Sequence, residues 1–266
     1  MLFSKFENVE IPQMGLGTFD LKEKEILAGI ETGYRLLDTA WQYGNEVDVG
    51  RAIKKSSVKR EAIVVTTKLW TEDIRKKQVR RALEDSLRNL QTDYVDLYLI
   101  HWPAVGYLQA WEVMLKLKEE GKVKEIGVSN FQKHHIETLK EISDIMPTLN
   151  QIECHPYFQN KEIISYCEAQ GILTQAWCPL GGSYSKFIEH DIFIKLAEKY
   201  RKTPAQIILR WHIQKNMYVI PRTSSVQRLK QNLEVFDFVI DEGDMKLIDG
   251  LDTGRRIGAD PDNFNF

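Results

Sequence analysis

An aspartate, a lysine and a histidine each end a short run of otherwise apolar residues, and a tyrosine follows the first of them closely. Asp38 stands in YRLLDTA (34–40), Lys68 in AIVVTTKL (62–69) and His101 in VDLYLIH (95–101), while Tyr43 comes five residues after Asp38. A phenol with its ordinary pKa of about 10 is a poor acid near neutrality. A neighbouring ammonium favours the phenolate and lowers that value, which makes Tyr43 a usable general acid beside Lys68. Asp38 on an adjacent strand would offset the desolvation of Lys68, and His101 would orient or polarise a carbonyl oxygen. Such a set suits carbonyl reduction. The pattern continues through Ser129 with Asn130, then Gln151, Trp177 and Arg222, each closing its own run. One polar residue at a strand end only marks the surface; seven strand ends in succession point to a convergent site.

The last run carries a second signal. In IPRTSSVQRLKQN (220–232), Arg222 precedes Thr223, Ser224 and Ser225, and a helix starting there would show Arg228 and Asn232 on one face. Phosphates bind at helix N-termini, and in parallel barrels after the seventh and eighth strands. Two arginines and three hydroxyls exceed what a pyrophosphate needs and suit the additional 2′-phosphate of NADP(H).

These residues need elements to position them. The runs named above, with VKEIGVS (123–129), TLNQIE (148–153), ILTQAW (172–177), YVIPR (218–222) and the opening PQMGLGTF (12–19), have the length and composition of parallel strands covered on both faces. Between them lie helical patterns. Residues 75–90 put Val79, Leu83, Leu87 and Leu90 on one stripe, Gly121 caps a helix over 108–119, and Thr203-Pro204 separates helices over 191–200 and 204–215. A doubly wound open sheet would show the same alternation, but its dinucleotide fingerprint is missing: Gly15-Leu16-Gly17 has no third glycine opening a helix. Eight strand–helix units point to one α/β domain over 1–266, a (β/α)8 barrel. The length of 266 residues divides ambiguously at about 150 per domain but is close to a barrel of about 250.

Composition excludes other classes. With 36 basic against 38 acidic residues there is no basic field for nucleic acid. Three cysteines are too few for a disulfide framework, and neither a signal peptide nor a membrane span is visible, so a soluble cytoplasmic protein is expected. Cys154, His155, Cys167 and Cys178 fit no metal-ligand spacing, and no metal is expected. His134-His135 and the charge run 54–61 read as solvated surface.

The chain resembles the aldo-keto reductases. GYRLLDTAWQYGNEVDVG (33–50), VTTKLW (65–70), DYVDLYLIHWP (93–103), GKVKEIGVSNF (121–131) and IPRTSSVQRLKQN carry the resemblance in order along nearly the whole length. The tail GADPDNFNF (258–266) and the compact loops are most similar to the bacterial and archaeal branch, which includes diketogluconate and glyoxal/methylglyoxal reductases. The resemblance implies a (β/α)8 barrel with an N-terminal strand or hairpin cap and extra C-terminal helices. It implies Asp38, Tyr43, Lys68 and His101 as catalytic tetrad, Tyr43 donating the proton, with NADPH as hydride source and a small aldehyde or ketone as substrate.

Cofactor contacts would come from Gly17, Thr18, Asp38, Ser129, Asn130 and Gln151, from Trp177 under the nicotinamide, and from Cys178, Pro179, Leu180 and Gly181. Arg222, Thr223, Ser224, Ser225, Arg228, Gln231 and Asn232 would meet the adenosine end. Phe19, Tyr43, His101 and Trp102 would line the substrate pocket, and a monomer is implied. Arg222 replaces a more usual lysine, Cys154 replaces a common phenylalanine, and the segment after Leu251 is short, which predicts a more open pocket. A nicotinamide-binding sensor without turnover, or a phosphate-sugar isomerase or lyase, would share the fold.

Overall fold

A computed structural model describes residues 3–6, 9–182 and 186–266. The chain opens with a hairpin, β1 (Phe3–Phe6) against β2 (Val9–Pro12), antiparallel with Phe3 opposite Pro12. Val9 and Ile11 of β2 join Leu36, Leu97, Tyr218 and Ile220 in one apolar cluster, so the hairpin caps the strands that follow.

Eight of those strands form one parallel sheet in chain order: β3 (Leu16–Gly17), β4 (Leu36–Asp38), β5 (Val64–Leu69), β6 (Val95–Ile100), β7 (Val123–Ser129), β8 (Leu149–Glu153), β9 (Leu173–Trp177) and β10 (Tyr218–Val219). The sheet closes on itself. Met14 bridges Val219 in parallel, Gly15 N–H donates to Val219 O at 2.8 Å, and Val219 N–H donates to Gln13 O at 2.9 Å. The buried Gln13 side chain strengthens the seam by donating to Ile213 O and Met217 O. Every residue of β6 is buried, as expected of a strand with the barrel interior on one face and helices on the other.

The helices are α1 (Glu23–Thr32), α2 (Glu46–Lys55), α3 (Thr71–Arg75), α4 (Val79–Leu90), α5 (Tyr107–Glu119), α6 (Lys133–Lys140), α7 (Lys161–Ala169), α8 (Asp191–Tyr200), α9 (Pro204–Gln214), α10 (Val226–Leu233) and α11 (Glu242–Asp249). The stripe expected over 75–90 is real, with Val79, Leu83, Leu87 and Leu90 all buried. The helix nevertheless breaks in two, because Lys77 takes a left-handed φ of 57° between α3 and α4. Thr203 caps α9 as expected, its hydroxyl accepting from Gln206 N–H with Pro204 in the first turn. The runs 12–19 and 218–222 pair regularly over two residues each, at the seam where first and last strands meet. Helix α11 is an addition beyond the repeat. Among the described residues no helix is long and apolar enough to cross a membrane.

Close packing of the outer helices rests on a missing side chain. A Cβ on Gly50 of α2 would lie 2.4 Å from Leu90 O and 3.0 Å from Asn89 O, both backbone atoms at the end of α4. Gly50→Ala must therefore push α2 from α4. The expected loss is about 1–3 kcal/mol of unfolding free energy, read from urea denaturation.

Candidate active site

Lys68 sits one residue before the end of β5 and is fully buried. Its Nζ donates to Asp38 Oδ1 at 2.5 Å, to Thr39 O at 2.9 Å and to Tyr43 Oη at 3.3 Å. Asp38 ends β4, beside β5, with its other oxygen Oδ2 accepting from Gln151 Nε2 at 2.6 Å. A carboxylate with donors on both oxygens is ionised, and the pair is a buried salt bridge. Tyr43 reaches the pair from a 3-10 turn, Trp41–Tyr43, ended by Gly44 at a φ of 64°. Asn45 pins the turn: Thr39 Oγ1 donates to its Oδ1, and its Nδ2 donates to Thr18 O and Leu21 O. The ring of His101, one residue past β6, lies 5.9 Å from that of Tyr43. The structure thus brings all four expected residues together.

Burial alone would lower the Lys68 ammonium, but Asp38 and Tyr43 hold it above its ordinary range. Burial pushes the His101 imidazole well down, and the Lys68 charge adds to this. His101 is therefore neutral at neutral pH, with one N–H to offer. Tyr43 departs from expectation. Burial raises its phenol above the ordinary value, Asp38 adds to the rise, and Lys68 only partly counters it. Proximity of an ammonium suggested a lowered value, but for this half-buried ring loss of water disfavours the phenolate more than Lys68 favours it. The hydroxyl keeps its proton across neutral pH.

A second group of polar residues adjoins these. Ser129 Oγ donates to Gln151 O at 2.9 Å, and Asn130 Nδ2 donates to His101 O and Ser129 Oγ. Trp177 Nε1–H donates to Asn130 Oδ1 at 2.8 Å, which holds the half-buried indole in place. Gln151 spends its two N–H groups on Asp38 and on Gln175 Oε1, 2.7 Å away, leaving its own Oε1 to accept from a ligand. Cys178 and Gly181 lie in a turn closed by Gly181 N–H on Cys178 O, with Pro179 and Leu180 between them. Burial pushes the Cys178 thiol up to about 12, so it is no thiolate.

At the far end, Ser225 caps α10, its hydroxyl accepting from Arg228 N–H, and Thr223 Oγ1 accepts from Ser225 N–H. Arg222, Ser224 and Arg228 are exposed around this N-terminus, and Gln231 is half-buried. Thr223 and Asn232 are buried beside them. Gly17 and Thr18 lie opposite. A Cβ on Gly17 would meet Ile220 O at 2.7 Å, and Thr18 Oγ1 donates to Asp38 O.

Several residues escaped sequence reasoning. Phe19 and Trp102 were expected pocket walls: the Phe19 ring stands 5.1 Å from that of Tyr43, and Trp102 is buried beneath the tail. The short tail reaches the same mouth. Phe264 and Phe266 pack on Trp102 at 5.3 and 5.1 Å, Phe266 stacks on Trp70, and Trp70 meets His101 at 5.2 Å. Arg75 holds Phe266 O, and buried Glu153 accepts from Ile257 N–H and Gly258 N–H, which lays Gly258 on Trp177. The aromatic tail was the available signal; its brevity hid where it lands.

His134, His135 and Asp262 also meet, their ligand-type atoms within 4.8 Å of one another. His134 is exposed as expected but His135 is largely covered, and burial pushes its imidazole down to about 4. Its Nδ1 accepts from Gln132 N–H, which places the ring proton on Nε2, facing Asp262. That tautomer suits a hydrogen bond to the tail; metal on Nε2 would require the proton to leave it.

A parallel barrel with polar side chains converging at the C-terminal ends of its strands is the architecture of a barrel enzyme. The profile of the Aldo/keto reductase family matches residues 18–253, and the chain belongs to that family of oxidoreductases. It is 42% identical over 261 residues to the methylglyoxal reductase DkgA of Escherichia coli (strain K12), covering 96% of this chain and 94% of the relative. It is 42% identical over 264 residues to a glyoxal reductase of Bacillus subtilis (strain 168), covering 97% and 95%. Among solved structures, MGS-M4, an aldo-keto reductase from a Medee basin deep-sea metagenome library, superposes with a TM-score of 0.94. It is 44% identical and covers 97% of this chain and 98% of its own.

The ion pair at the centre makes a stability prediction. Lys68→Met strands the Asp38 carboxylate in a dry interior and should cost about 3–5 kcal/mol in urea unfolding. Asp38→Asn in the Lys68→Met background should recover most of that loss, because no charge then lacks its partner.

Proposed function

We propose that the chain, acting as one barrel domain and a monomer in the cytoplasm, reduces small aldehydes and ketones to alcohols at the expense of NADPH. The observation that carries this reading is Lys68 Nζ bridging Asp38 Oδ1 and Tyr43 Oη beside a neutral His101. The names of the relatives, methylglyoxal and glyoxal reductases, support a small oxoaldehyde as substrate.

The donor set fits the cofactor. Exposed Arg222, Ser224 and Arg228 at the N-terminus of α10 would hold the adenosine phosphate. Gly17 would allow close backbone approach along the chain. Ser129, Asn130 and the Gln151 Oε1 acceptor would take the carboxamide, with Trp177 against the ring. When bound, the nicotinamide supplies a hydride to the carbonyl carbon.

The protein's own residues do the rest. His101 is neutral because burial disfavours its cation, so its N–H can hold a carbonyl oxygen without a charge to neutralise. Tyr43 keeps its proton until the oxygen becomes an alkoxide, then gives it up. Lys68 stabilises the phenolate left behind, and Asp38 keeps Lys68 charged and aimed. Phe19, Trp102, Trp70, Phe264 and Phe266 would exclude water around a small substrate.

Tyr43→Phe tests the assignment. NADPH oxidation with methylglyoxal should fall about 10²–10⁴-fold in kcat, while NADPH affinity, measured by tryptophan quenching, stays near wild type. Undiminished turnover would falsify the role given to Tyr43.

The pH profile follows from the two shifts. Neutral His101 titrates well below 6.5, and Tyr43 holds its proton above its ordinary value near 10. The kcat for reduction should therefore be level from pH 6 to 9, without an inflection near 6.5, and should fall only at higher pH as the phenol deprotonates. A limb near 6.5 that vanishes in His101→Asn would assign the titration to His101 instead.

A further inference from the structure

Arg222 is already engaged. Its Nε donates to Phe19 O at 3.0 Å, and its Nη2 donates to Asp20 O and to Asp20 Oδ2, both at 3.2 Å. All three acceptors belong to the turn after β3, so the guanidinium ties the loop of the last strand to that of the first. Asp20 offers its carbonyl and its carboxylate to the same nitrogen from a left-handed backbone with a φ of 57°. Both partners stand in solvent, with side-chain exposures of 43% for Arg222 and 74% for Asp20. The bridge is therefore open to exchange, since exposed pairs are weakly held. Arg222 also belongs to the cluster with Ser224 and Arg228 at the start of α10.

We infer that Asp20 is a specificity-determining residue: its carboxylate occupies Arg222 in competition with the 2′-phosphate of the dinucleotide and so restrains the preference for NADPH over NADH. The inference rests on the nicotinamide reading above. A phosphate, with more charge and three acceptor oxygens, displaces a single carboxylate from a guanidinium. NADPH meets either the Nη1 side of an Arg222 already neutralised by the Asp20 carboxylate on Nη2 or must displace that carboxylate, whereas NADH brings nothing that competes for the guanidinium. Removing the Asp20 charge should help one cofactor and leave the other alone. The Phe19 carbonyl would still hold Arg222 Nε near its present place.

The test is fluorescence titration of the intact protein with NADPH and with NADH, in wild type, Asp20→Asn and Asp20→Glu. Competition by 2′,5′-ADP and by 5′-AMP, which carry no hydride, supplies a second readout. In Asp20→Asn, NADPH and 2′,5′-ADP should bind about two- to fivefold more tightly, the range expected for loss of one exposed ion pair. NADH and 5′-AMP should be unchanged, and their unchanged binding also reports an intact fold. Asp20→Glu, which keeps the charge, should stay near wild type. The inference is overturned if Asp20→Asn leaves all four ligands unchanged, shifts them alike or weakens NADPH; the last outcome would make Asp20 an orienting partner of Arg222. Wild type binding neither dinucleotide would overturn the nicotinamide reading together with this one.

Discussion

An ammonium with no access to water must find every acceptor it needs within the protein, and Lys68 imposes that condition on the whole mouth of the barrel. Its three partners come from the end of β4, the residue just beyond it and the turn after that. Asp38 must then satisfy its second oxygen, and Gln151 comes across from β8 to do it. A parallel barrel is suited to such a demand, because its strand ends all face one rim and side chains from non-adjacent strands meet there. Leaving any member without its partner strands a buried polar group, so the network is strongly specified.

The same network links chemistry to recognition. Gln151 is held by Asp38 on one N–H and Gln175 on the other, so its carbonyl oxygen is the part left for a ligand. Asn130 bridges the His101 carbonyl and Ser129 on one side and receives the Trp177 indole N–H on the other. Side chains that would touch a ring and its amide are thus braced by the backbone carrying His101. Such bracing before any ligand arrives limits the ordering that binding must impose.

The barrel was legible in the sequence because its strands are buried on both faces and so read as short apolar runs, each closed by a polar residue. Lys68 within VVTTKLW and His101 within LYLIHWP stood out because charge and imidazole are rare in such company. Contacts made by residues distant in the chain were not legible. Asp20 with Arg222, Glu153 with residues 257–258 and Phe266 with Trp70 depend on how loops fold back, and no period encodes that. The direction of the Tyr43 shift was hidden for a related reason. Sequence shows that an ammonium is near, but not how much water is lost, and the second effect is the larger.

That balance bears on which direction of chemistry the site favours. A phenol whose proton is held by burial is a reluctant base, and one whose phenolate is stabilised by Lys68 is still able to release that proton when an alkoxide forms nearby. The alkoxide, a far stronger base than phenolate, takes the proton without any need for a lowered pKa. A lowered value would help alcohol oxidation, where the proposed role would have Tyr43 begin deprotonated. Under the role proposed for Tyr43, a phenol held above its ordinary value by burial would favour reduction.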